Sequence, residues 1–75
     1  MHSTKAFVKY QLDMAGVTLT EIASRSGEDI RTVSHVIAGK RTNRAEVVLK
    51  EICKATGLKY GDLIRLYGLG HSAAA

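Results

Sequence analysis

Apolar residues recur along this chain at intervals of three and four, and no long stretch alternates apolar with polar. That period belongs to helices buried along one side. Five such segments can be marked. The first runs from Lys5 to Ala15, with Ser3 or Thr4 as its cap, and Gly16 ends it. Val8, Leu12 and Ala15 share one face there, and Phe7 widens it. The second, Leu19 to Ser26, turns Ile22 and Ala23 inward and stops at Gly27. The third runs from about Asp29 to Ala38, is anchored by Val33, Val36 and Ile37, and stops at Gly39. After a polar basic connector, K-R-T-N-R, Asn43 or Thr42 can cap a fourth helix from about Arg44 to Thr56. Its inward residues are Val48, Ile52 and Ala55, with Leu49 and Cys53 beside them. Gly57 followed by Leu58 predicts a Schellman ending. The fifth, Tyr60 to Tyr67, carries Leu63, Ile64 and Tyr67, and Gly68 closes it. Residues 69–75 read as a disordered tail. The pattern predicts an all-α, five-helix domain with its core between about residues 5 and 67.

The most complete local signals sit between Thr18 and Gly39. Thr18 with Glu21 makes a T-x-x-E capping box, and Val17 with Ile22 makes a hydrophobic staple. Ala23 is small where two helices can cross closely, and Gly27 permits a sharp turn after it. A small residue, a glycine and then two apolar anchors is the sequence form of a helix-turn-helix.

Length and charge narrow the function. Seventy-five residues allow one small domain and no separate substrate domain. The single cysteine, Cys53, cannot form an internal disulfide, and no Cys/His cluster has zinc spacing. No metal or cofactor is therefore expected, and a reducing, cytoplasmic setting is. No apolar run approaches a membrane span, and M-H-S-T-K lacks the apolar core of a signal peptide. A net charge of +4 favours an acidic partner, with nucleic acid first among the candidates.

The face of the third helix turned from the core follows from its period of about 100° per residue. That face holds Arg31 and His35, flanked by Ala38, Glu28 and Ser34. Ile30 falls on the boundary, either peripheral core or an apolar contact, and Thr32 lies on the other flank. Arg31 is the first candidate for reading a base, because its guanidinium can bond guanine O6 and N7 together. His35 lies one turn along, and Ile30 and Ser34 complete the base-reading set. The phosphate-binding candidates are Thr18, Leu19 and Thr20 at a helix amino end, Thr32, and the run Lys40, Arg41, Asn43 and Arg44.

T-L-T-E-I-A-S-R-S-G followed by T-V-S-H-V-I-A-G-K-R resembles the helix-turn-helix of the lambda-repressor/Cro-like family, also called the xenobiotic-response-element family. The V-T-L start is also similar to small Ner-like phage regulators. T-V-S-H-V-I resembles the lac-repressor headpiece, whose chains begin at the helix-turn-helix. Here a full helix precedes it and two follow, which favours the lambda-like arrangement. K-E-I-C-K-A-T-G-L-K-Y-G-D-L is similar to that family's fourth and fifth helices, so the resemblance covers about Lys5 to Tyr67. Three positions depart from it. Leu19 stands where Gln often supports a phosphate contact, Glu28 where an apolar turn residue is usual, and Ala38 where Asn is common.

The resemblance implies a homodimer on a palindromic double-stranded DNA operator, with the third helix in the major groove. Tyr60, Ile64, Tyr67 and Leu69 form more apolar surface than a short terminal helix needs, so they are the expected dimer interface; the alternative is that they complete the monomer core. The expected function is a sequence-specific transcriptional regulator, a repressor of phage or mobile-element type. The competing reading is a protein-interaction module, such as an antitoxin or an accessory regulatory subunit. No convergent titratable groups suggest an enzyme or a small-molecule substrate.

Overall fold

Each segment is too short to hold a helix alone in water, so each depends on packing its apolar stripe against the others. The computed structural model describes residues 4–40 and 43–68. Within them lie five helices: α1 (Thr4–Ala15), α2 (Leu19–Ser26), α3 (Ile30–Ile37), α4 (Ala45–Thr56) and α5 (Tyr60–Leu66). Among the described residues there is no strand, and no helix is long and apolar enough to cross a membrane. Ser3, Arg41, Thr42 and the tail from Leu69 lie outside the described residues.

The core joins Val8 and Leu12 of α1, Ile22 and Ala23 of α2, Val33, Val36 and Ile37 of α3, Val48, Leu49 and Ile52 of α4, and Leu63 of α5. The central element is α4, which packs against all four other helices. Two α1 expectations fail. Ala15 is exposed, and Phe7 is more than a third exposed, because only the Val8–Leu12 line of α1 faces the other helices.

The helix ends also differ in detail. Asp29 lies outside α3 as its cap, with extended backbone and its carboxylate accepting from the Arg31 N–H at 3.4 Å. α4 starts at Ala45 with Arg44 as its capping residue and no side-chain cap bond, so neither Asn43 nor Thr42 takes that position. At Gly57 the N–H reaches the Cys53 carbonyl at 2.8 Å, but the Leu58 N–H turns to Thr56 Oγ1 at 3.3 Å. This is the simpler left-handed ending and not the Schellman motif. The Thr56 hydroxyl itself donates to the Ile52 carbonyl at 2.7 Å, which fixes it beside Leu58.

One long-range bond ties the fifth helix to the third. The Tyr67 hydroxyl donates to the Ile37 carbonyl at 2.8 Å, satisfying a carbonyl that the end of α3 leaves open. Burial pushes the Tyr67 phenol up to about 12. The folded state therefore keeps its proton where the unfolded chain loses it. Stability should fall as pH rises from about 10 towards 12, since the unfolded state then binds fewer protons. Urea titrations across this range should show the fall in the parent chain and a smaller one in Tyr67→Phe.

Candidate nucleic-acid interface

Thr18 to Lys40 is built from short-range bonds that agree with one another. Thr18 has extended backbone, its Oγ1 accepts from the Glu21 N–H at 3.2 Å, and Glu21 Oε1 accepts from the Thr18 N–H at 3.5 Å. The expected capping box is therefore formed at both bonds. Glu21 also pairs with Arg25 at 3.7 Å, one turn on. The box occupies the Glu21 N–H and leaves those of Leu19 and Thr20 at the exposed amino end of α2. Two outward N–H groups at the positive end of a helix suit a phosphate oxygen.

Gly27 makes the turn from α2 to α3. Its φ is +73°, and a Cβ added there would meet nothing within 4 Å. The glycine is needed for its backbone angle, not for space. The Glu28 N–H bonds the Ala23 carbonyl at 3.0 Å and the Gly27 N–H bonds that of Ser24 at 3.4 Å, which is a full Schellman ending. Ala23 is buried at this crossing, as its size predicts.

Beyond the turn, Val33, Val36 and Ile37 face the core, and Arg31, Ser34, His35 and Ala38 face solvent. Ile30 is 46% exposed, so it lies outside the core, next to Arg31. Thr32 is half-buried on the flank. No side-chain partner holds the Arg31 guanidinium among the described residues, leaving its five N–H donors to solvent. Lys40 and Asn43 are exposed just after α3, and Arg41 lies outside the described residues.

Glu28 stands where an apolar turn residue is usual, and it makes a contact of another kind. Its side chain is only 17% exposed, and its carboxylate lies 3.6 Å from Arg44 Nε at the start of α4. The turn is therefore fastened electrostatically. Arg44, 61% exposed, has part of its charge offset by this contact. Nothing local in the sequence points to this pair, because it forms between separate elements.

Three of the residues expected at a dimer interface also touch the core. Tyr60, Ile64 and Tyr67 pack half-buried against the core, and Lys50 sits 5.7 Å over the Tyr60 ring. Leu69 lies outside the described residues. Burial pushes the Cys53 thiol up, which disfavours the reactive thiolate. Among the described residues, no three His, Cys, Asp or Glu side chains form a group able to hold a metal ion.

No known family model matches the chain, and no match is found among curated proteins or solved structures.

The capping box makes a local prediction. Thr18→Ala should cost about 1 kcal/mol. In a domain of this size that lowers the melting temperature by roughly 4–8 °C. Thermal unfolding followed by circular dichroism reads it, and an unchanged melting temperature would show that the box contributes nothing.

Proposed function

We propose that this chain is a sequence-specific, double-stranded DNA-binding regulator, a repressor of phage or mobile-element type. In this reading α2, the Gly27 turn and α3 act as a helix-turn-helix of the lambda-repressor-like kind. The observation that carries it is the solvent face of α3. Arg31, Ser34 and His35 lie together there, with Ile30 at the edge, and none of them serves the core. The short hydroxyl of Ser34 and the bare Ala38 let a helix lie close to base edges.

Around that face, cations and N–H groups supply the phosphate contacts. The amino end of α2 with Thr18, Leu19 and Thr20 lies to one side. Lys40, Arg41, Asn43 and Arg44 follow α3, and Thr32 flanks it. Phosphate contacts fix the register on the duplex, while Arg31 and its neighbours read sequence. The partner is an operator of two half-sites bound by a homodimer, in a bacterial cytoplasm or nucleoid. The competing reading, a protein-interaction module, has no use for this concentration of cations beside an exposed arginine.

Selection of bound sequences from a random duplex pool tests the reading, and a palindromic site is the expected outcome. Recovery of no preferred sequence would overturn it in favour of the protein-binding alternative.

Two substitutions separate the roles. Arg31→Ala should cost about 1–3 kcal/mol on the selected site and relax one base position. Lys40→Ala should weaken all sequences alike and lower the salt slope by about one. Titrations between roughly 50 and 200 mM salt measure both effects.

Glu28→Gln removes a negative charge from beside Arg44 and should tighten binding. Weaker binding by a folded Glu28→Gln chain would mean that the Glu28–Arg44 pair positions the interface instead of opposing it.

A further inference from the structure

We propose that a second copy of this chain docks on the outer face of α1, with the two α1 helices antiparallel about a two-fold axis near Gln11. This rests on the homodimer of the preceding reading and names a seam for it on α1, where the sequence pointed to α5.

Phe7, Tyr10 and Met14 recur at helical spacing on α1 and face away from Val8 and Leu12. Tyr10 is 59% exposed and Met14 69%. The fold needs none of the three in its core, and three large apolar side chains on one exposed helix face mark a contact surface. Beside this stripe lies a shallow groove of about 190 Å³, with Leu12, Val17 and Leu19 as its apolar floor and Lys9 and Asp13 on its rim.

Charge identifies the occupant as the chain itself. Lys9 and Asp13 are one turn apart, yet they do not pair with each other, and neither side chain has a partner among the described residues. Lys preceding Asp is the poorer order for a pair within one helix. A two-fold contact is isologous, so what residue i meets in the partner is met in return. An axis near Gln11 sets Lys9 of each copy against Asp13 of the other, twice. The same operation sets the two Tyr10 rings side by side and each Phe7 next to the partner's Met14. One helix face offers well under the roughly 800 Å² per partner of a standard interface. The dimer is accordingly weak in free solution and forms as concentration rises.

Sedimentation equilibrium of the full chain, from micromolar to about 1 mM, tests the proposal. The parent chain should dimerise reversibly. Lys9→Asp and Asp13→Lys should each weaken self-association about tenfold or more, because each places two like-charge pairs in the seam. Mixed in equal amounts, the two variants should form a heterodimer at parental strength, since both cross-pairs are then opposite in sign. Circular dichroism confirms that each variant is folded, which both positions, being exposed, should allow. A parent chain that stays monomeric throughout overturns the proposal. So do a dimer indifferent to both reversals and a mixture that does not associate. A dimer built this way that selects no DNA sequence would leave the seam standing and remove the DNA reading alone.

Discussion

None of the helices among the described residues is long enough to be stable in water on its own, and the single cysteine can form no internal disulfide to share the task. Everything therefore rests on one shared core, and that core is organised around α4. Val48, Leu49 and Ile52 are fully buried, and α4 as a whole packs against every other helix. The candidate interface inherits this dependence. The face of α3 can be given wholly to solvent residues only because Val33, Val36 and Ile37 hold its other side. The Glu28–Arg44 pair ties the turn before α3 to the start of α4, and Tyr67 ties the end of α3 to α5. The outward helix is thus clamped at both ends by elements that take no part in its outer face.

Local interactions were legible in the sequence because their partners are close along the chain. The Thr18–Glu21 box, the stop at Gly27 and the inward set of α3 all follow from residues within two turns of one another. Helix positions followed from apolar spacing to within about one residue, since a stripe must remain continuous to be buried. What could not be read arises between elements. Ile37 and Tyr67 are far apart in sequence, and only the packed chain brings that hydroxyl to that carbonyl. The ending at Gly57 changes for a related reason. Thr56 has a hydroxyl free to capture the Leu58 N–H, and sequence alone does not decide between that bond and the helical carbonyl.

Glu28 shows how a departure from an expected pattern can carry structural meaning. An apolar turn residue would add packing, whereas Glu28 adds a directed contact whose net worth depends on what surrounds it. Because Arg44 is largely exposed, solvent screens such a pair and limits its contribution to stability. Its larger effect is on charge. It sets a carboxylate next to Arg44, moderating the positive charge there. A regulator that must leave non-specific DNA gains from that moderation, because the phosphate attraction acts on every sequence equally. Under the proposed function, the pair would exchange some affinity for discrimination.

The proposed seam and the proposed groove-reader are also linked by geometry. α1 packs directly on α3, so the path between the two α3 helices of a dimer crosses three helix-to-helix steps. Packed helices lie about 8–10 Å apart, which bounds an in-line path at about 24–30 Å. Half-sites one turn apart on straight DNA are separated by roughly 34 Å. The α1 seam therefore fits only if the helices cross with their centres offset along their axes, or if the duplex bends towards the protein and brings its half-sites closer. Bending carries an energy that depends on the sequence between the half-sites. A dimer joined through α1 would consequently read base pairs that it never touches, and the α1 contact would become part of the specificity attributed to Arg31 and His35.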